Sequence, residues 1–79
     1  MEYYVIYDNT TGLIDGGTGP INRAADQKSM DAGDQSVMLW HIENRILKKN
    51  PDRRVVYLKQ PLDPEKQKVD LKTLAAVSR

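Results

Sequence analysis

The pattern of apolar and polar positions is clearest at the start of the chain, where it predicts a β-hairpin. The aromatic and β-branched run Tyr3–Tyr7 is typical of a strand. The turn residues Asp8–Gly12 follow, and their glycine suits the left-handed position that closes such a loop. A second apolar segment begins at Leu13, and the breaker cluster Gly16–Pro20 is expected to end it.

Both faces of the first predicted strand carry apolar side chains. In an extended strand, Tyr4 and Ile6 point to one side of the sheet. Tyr3, Val5 and Tyr7 point to the other side. Both faces should therefore be covered, either by this chain or by a neighbouring one.

The middle of the chain has two interpretations. Residues 21–36 are polar and predict a long connection, with at most a short helical turn near 23–30. The apolar run that follows, 37–47, fits a strand by alternation. It also fits a helix with an apolar face, which Asn50 and Pro51 would end. Periodicity alone does not separate these cases in so short a run.

The second half of the chain predicts two further strands. Residues 54–58 are rich in β-branched and aromatic side chains, and prolines at 61 and 64 interrupt the chain after them. A short apolar segment near 68–71 is the last strand candidate. The predicted fold is one small, mainly β domain, 1–79, an antiparallel sheet with strands near 2–8, 11–16, 37–43, 53–59 and 68–71. The alternative is an α+β domain with a helix near 36–49.

Length and composition limit how such a domain is stabilised. A chain of 79 residues buries only about 60–65% of the surface that its unfolded form exposes, so a free monomer is marginally stable. The chain has no cysteine and one histidine, which excludes disulfides and argues against a zinc site or another metal centre. Association with other chains is the remaining source of stability, and no cofactor is expected.

The charge balance argues against a nucleic-acid partner. Twelve basic and eleven acidic residues give a net charge of +1. No apolar stretch reaches the ~20 residues of a membrane span, and no secretory signal is recognisable, so synthesis in a reducing cytoplasm is expected. The one local concentration of charge is a basic patch formed by Arg45, Lys48, Lys49, Arg53, Arg54 and Lys59.

Catalytic residue patterns are not apparent in the sequence. His41 lies in an apolar run, and no cysteine accompanies it. We therefore expect that the protein is not an enzyme and takes no small-molecule substrate.

The large apolar side chains are instead candidates for contact with another protein. Aromatic rings suit a core and a partly wet interface equally well, so both interpretations stay open. The interface candidates are Tyr3, Val5, Tyr7, Trp40 and Tyr57.

The opening Tyr4–Ile14 resembles the start of many short bacteriophage and prophage tail proteins, which begin with a strand, a Thr-Gly turn and a second strand. Residues 31–34 resemble their acidic lead into a third strand, and this favours the strand interpretation of 37–43. Residues 50–58 and 68–74 resemble their fourth strand and closing segment. The resemblance implies a virion component made in the host bacterial cytoplasm, located in the tail tip, baseplate or fibre attachment. Its partners would be other tail proteins in a homo- or hetero-oligomer.

A rival interpretation uses the basic patch. It predicts a small phage-encoded regulatory or inhibitory protein that binds a host complex through its region 45–59.

Overall fold

The computed structural model describes all residues, 1–79, and contains an antiparallel sheet that opens with the predicted hairpin. The sheet has three strands in the order β2-β1-β3, and a separate two-stranded hairpin pairs β4 with β5. The strands are β1 (Glu2–Asp8), β2 (Ile14–Ile21), β3 (Arg53–Leu58), β4 (Gln67–Val69) and β5 (Ala76–Ser78). The sequence-predicted antiparallel sheet is confirmed.

Two helical regions separate β2 from β3. Helix α1 (Arg23–Asp31) follows β2 directly, and the Asn22 side chain caps it by accepting a hydrogen bond from the Ala25 N–H. The second region is continuous and contains α2 (Met38–His41), a π-helical turn (Ile42–Ile46) and α3 (Leu47–Lys49).

The strand predicted near 37–43 is wrong, and the alternative helix near 36–49 is confirmed. The helix is favoured over the strand because it buries the side chains of Leu39 and Ile42 against Ile6 and Ile21 of the sheet. Its first turn is capped across space, since the Asp26 carboxylate accepts a hydrogen bond from the Leu39 N–H at 3.1 Å.

Two other predictions are corrected. The cluster Gly16–Pro20 does not end the second strand, because β2 runs through it to Ile21. The connection 21–36 contains a full helix, α1, rather than at most a short turn. None of the α1 residues is buried, which explains why the sequence shows no strong apolar face there.

Both faces of the sheet are covered by this chain. On one face, Ile6 packs with Ile21, Leu39 and Ile42 beneath the helices. On the other face, the buried cluster consists of Val5, Tyr7, Leu62 and Val69, supplied by β1 and by the segment after β3. The sheet is therefore the middle of three layers, between the helices on one face and the segment after β3 on the other.

The two hairpin turns have the same hydrogen-bond design. The Asp8 carboxylate accepts from the N–H groups of Thr10 and Thr11, and the Asp70 carboxylate accepts from those of Lys72 and Thr73. Each turn ends in a left-handed residue: Gly12 has φ 78° and Leu74 has φ 61°. The sequence marks the first turn by its glycine; for 71–77 it predicts only a short terminal turn or strand, because there leucine takes the left-handed conformation.

Gly12 also joins the two hairpins. Its carbonyl accepts a hydrogen bond from the Val69 N–H at 2.8 Å. A Cβ atom on Gly12 would overlap the Val69 carbonyl oxygen, so only glycine permits this approach.

Candidate functional site

The three-stranded sheet has two outer edges, and they differ in how many backbone groups they leave free. We call them the β2 edge and the β3 edge, each being the side of that strand away from β1. A free strand edge is a template for pairing with another chain, so these edges are the candidate interaction sites.

The phase of the β1–β3 ladder is set by one hydrogen bond. The Asn9 N–H donates to the Asp52 carbonyl at 2.9 Å, directly beyond the last pair of the register, Asp8 with Arg53. Because bonded and non-bonded pairs alternate in an antiparallel ladder, Val56 is bonded to Val5 of β1. Arg54 and Leu58 are bonded to β1 in the same way.

The residues between them point their backbone groups outward. These are Arg53, Val55 and Tyr57. Arg53 is satisfied locally, because its N–H donates to the Asn50 carbonyl and its carbonyl accepts from the Arg54 guanidinium. No hydrogen bond within the chain reaches the outward N–H or C=O of Val55 or Tyr57. The β3 edge thus has free donors and acceptors on a regular strand.

The β2 edge is interrupted. Three β2 residues, Asp15–Gly17, lie opposite Ile6 alone, since the register passes from Val5↔Thr18 to Tyr7↔Ile14. Gly16 has φ 133°, and a Cβ there would lie 3.0 Å from the Ile6 Cγ2. The bulge therefore requires glycine at this position.

Proline blocks a second part of the β2 edge. The Asp8 N–H donates to the Leu13 carbonyl, so the even-numbered residues of β1 bond to β2. Thr18 and Pro20 lie opposite odd-numbered residues and point outward. Pro20 has no N–H, so it has nothing to donate to an added strand.

Arg53 fastens the end of the sheet near the bulge. Its guanidinium lies 2.5 Å from the Asp15 carboxylate and 3.0 Å from that of Asp52, and it donates to the Asp15 carbonyl at 3.1 Å. Its side chain is 19% exposed. Arg53 belongs to the predicted basic patch, yet its charge is neutralised within the fold.

The other cations of the predicted patch are exposed but divided between two places. Arg45, Lys48 and Lys49 lie on the helical region, and Arg54 and Lys59 flank the free part of β3. Arg54 folds back to donate to the Pro51 carbonyl at 2.9 Å, and Lys59 forms no ion pair.

The structure disperses the predicted interface residues. Val5 and Tyr7 are 0% and 5% exposed, which corrects their assignment as partner contacts: the chain itself covers them. Tyr3 and Trp40 are half-buried and lie outside both core clusters. Tyr57 is half-buried at the rim of the helix-side core.

Tyr57 is held in place at the β3 edge by a salt bridge. The Arg23 guanidinium donates to both Glu2 carboxylate oxygens, at 2.7 and 2.9 Å, and lies 4.2 Å from the centre of the Tyr57 ring. The hydrogen bond from Arg23 lowers the pKa of Glu2. Burial, followed by the nearby charge of Glu43, raises the pKa of the Tyr57 phenol.

His41, the single histidine, packs edge-on against the Trp40 ring with 5.4 Å between ring centres. It also lines a shallow surface groove of about 520 Å³ with Met38, Arg45 and Lys49. No helix has the length and apolar character of a membrane span.

The residue that sequence inspection misses is Val55, whose backbone forms half of the free edge. The sequence gives no direct signal for this role, because the run 53–58 does not show whether it forms a central or an edge strand. That β1 lies between β2 and β3 follows only from the assembled topology.

No protein-family model, curated protein sequence or solved structure matches this chain. The candidate site is therefore identified from its own geometry.

Proposed function

We propose that the protein is a structural component of a phage or prophage tail, placed at the tip, baseplate or fibre attachment, and that it acts by packing against other virion chains. The observation that carries the packing role is the β3 edge, where Val55 and Tyr57 leave their backbone groups free on a regular strand. In this proposal the protein has no catalytic role and its location is the virion.

The tail assignment is supported by the sequence resemblance of Tyr4–Ile14. The structure has a hairpin at this place, with a Thr-Gly turn between β1 and β2. With both sheet faces covered by the chain, contact with a neighbour falls to the edges and the half-buried rings. Strand addition uses backbone groups, so a small chain gains affinity without a large apolar surface.

The test measures the protein in particles assembled by the strain that carries its gene. Val55→Pro removes an outward N–H and leaves the β1 ladder intact, so we expect its copy number per particle, measured by mass spectrometry, to fall at least about tenfold. Thr18→Pro is the matched control, because it removes an outward N–H from the β2 edge. Circular dichroism verifies that both variants are folded.

Two results would contradict the proposal. Absence of the wild-type protein from purified particles removes the tail assignment. Wild-type copy number for folded Val55→Pro removes the β3 edge as the contact.

A second candidate function is favoured by the groove beside the helical region. His41, Arg45 and Lys49 follow one another at intervals of four residues along one helical face, with the exposed Met38 at its end. This surface fits the rival interpretation, a small regulatory or inhibitory protein that binds a host complex through region 45–59.

The double variant Arg45→Glu with Lys49→Glu separates the two candidates. Loss of binding to a host complex with normal incorporation into particles would establish the regulatory function. Normal incorporation of this variant, together with a wild-type protein that binds no host complex, is the result expected for the structural function, because its contact is the β3 edge. Arg53 is left unchanged, because its salt bridges to Asp15 and Asp52 support the fold.

A further inference from the structure

We propose that the β3 edge selects an acidic extended segment of another chain, with small apolar or β-branched residues at its centre and carboxylates at its ends. This inference rests on the proposed use of the β3 edge for contact. It adds the chemistry of the partner and excludes a second copy of this chain as the occupant.

The backbone fixes the length of the central part. Val55 and Tyr57 each present one N–H and one C=O outward, which makes four hydrogen-bonding groups in all. Two partner residues separated by one position satisfy all four in an antiparallel arrangement. A partner segment needs only about three residues at its centre, and its side chains then alternate above and below the sheet.

The charges at the two ends of the edge select the flanking residues. Arg54 precedes the free stretch and Lys59 follows it, and neither forms an ion pair with a carboxylate. Glu2, whose charge acts on Tyr57 and is itself affected by Lys59, is bonded to Arg23. Each end of the edge therefore carries an exposed cation without an ion pair, and a carboxylate at either end of an incoming strand meets opposite charge there.

The same charges disfavour a second copy. A symmetric antiparallel β3–β3 pair places Val55 opposite Tyr57 of the other copy and Val56 on the axis. In this register Arg54 lies opposite Leu58 and Lys59 lies opposite Arg53 of the other copy, so neither cation meets a carboxylate on the facing strand. Like charges across neighbouring strands are destabilising, and basic residues at a strand edge are a known way of preventing self-pairing.

The experiment is an NMR titration of the full chain with two blocked peptides. Both have a Val-Thr-Val centre; one carries two glutamates at each end and the other carries two lysines. We expect the glutamate peptide to bind with a dissociation constant of ~1 mM, shifting and protecting the Val55 and Tyr57 amides. The lysine peptide should bind at least about tenfold more weakly, and the difference should shrink when salt is raised to about 0.5 M.

Variants assign the effect to named groups. Val55→Pro should abolish binding of the glutamate peptide, whereas Thr18→Pro should bind it as the wild type does. The double variant Arg54→Glu with Lys59→Glu should reverse the preference and bind the lysine peptide better. Both side chains are exposed and outside the core clusters, so this variant tests charge selection even if Val55→Pro is poorly folded; Arg54→Gln with Lys59→Gln, which also removes the Arg54 bonds to the Pro51 and Arg53 carbonyls, is the control for their loss.

The outcomes distinguish the two levels of proposal. Equal binding of both peptides at the Val55 amide overturns the acidic selectivity and leaves the β3 edge as the contact. Shifts confined to other amides overturn the edge itself. A dimer of the free protein that Val55→Pro dissociates makes a second copy the occupant, and it also overturns the inference. The tail assignment is tested separately, by particle content.

Discussion

The two edges of this sheet have similar length, but one is blocked against strand pairing and the other has free backbone groups. The β2 edge carries a bulge at Asp15–Gly17, a proline at position 20 and an arginine bound to its bulge. The β3 edge is a regular strand with free backbone groups at Val55 and Tyr57. Natural sheets protect the edges that must not pair, and this contrast is the basis for proposing β3 as the edge that a partner uses.

Proline substitution at adjacent positions of β3 gives the largest expected effect. Val56→Pro removes an N–H that bonds to β1, so we expect it to lower the free energy of unfolding by about 3 kcal/mol or more. Val55→Pro removes an outward N–H, and its cost should be about 1 kcal/mol. Urea denaturation measures both. Equal costs would show that the assigned ladder phase is wrong.

Substitution of Gly16 tests whether the bulge that interrupts the β2 edge depends on glycine. Gly16→Ala places a Cβ 3.0 Å from the Ile6 Cγ2 at φ 133°, so we expect a loss of about 1–3 kcal/mol in thermal or urea unfolding. Gly17→Ala is the control on the same strand, because its Cβ meets Tyr4 at an ordinary 3.5 Å. It should change stability by no more than about 0.5 kcal/mol. A neutral Gly16→Ala would mean that the bulge is not fixed by this contact.

Pro20→Val restores an outward N–H on the β2 edge. It therefore reduces the difference between the β2 edge and the β3 edge. We expect the association constant for pairing of two copies through this edge to rise about fivefold, corresponding to ~1 kcal/mol, the net value of about one hydrogen bond. Sedimentation equilibrium measures the change, and Pro20→Val combined with Thr18→Pro should reverse it. Unchanged association would show that the bulge alone protects this edge.

Acid titration gives the smallest expected effect. The pKa of Glu2 is lowered in the folded protein by the hydrogen bond from Arg23, so its contribution to stability is present above the ordinary carboxyl pKa. This contribution is lost as the pH falls through the lowered pKa. The difference in melting temperature between the wild type and Glu2→Gln should therefore shrink between about pH 5 and pH 2. The other carboxylates with lowered pKa values act equally in both proteins, and a constant difference would exclude this linkage.

Local signals explain which parts of the fold were predictable. The first hairpin was predicted because Gly12 marks the left-handed position of its turn. The second hairpin has the same turn, but Leu74 gives no such signal. The helix over 38–49 was ambiguous because its cap, Asp26, lies on another helix and is brought near only by folding.

The candidate site was less predictable than the fold. Aromatic and apolar side chains indicated residues for contact with a partner. Val5 and Tyr7 are instead buried in the core, because β1 is the central strand. The sequence assigned Arg53 to a basic surface, but its charge is neutralised by salt bridges to Asp15 and Asp52. Strand order and ion pairing are properties of the assembled chain, so neither could be derived from a linear pattern.

The bond between Gly12 and Val69 has a consequence for the order of events during synthesis. The helix-side face of the sheet is built from residues up to 58, whereas the opposite face waits for Leu62 and Val69. A ribosome delivers the chain from its N-terminus, so Val5 and Tyr7 stay uncovered until the last segment emerges. The first turn of the nascent chain is thus the anchor on which its final hairpin closes.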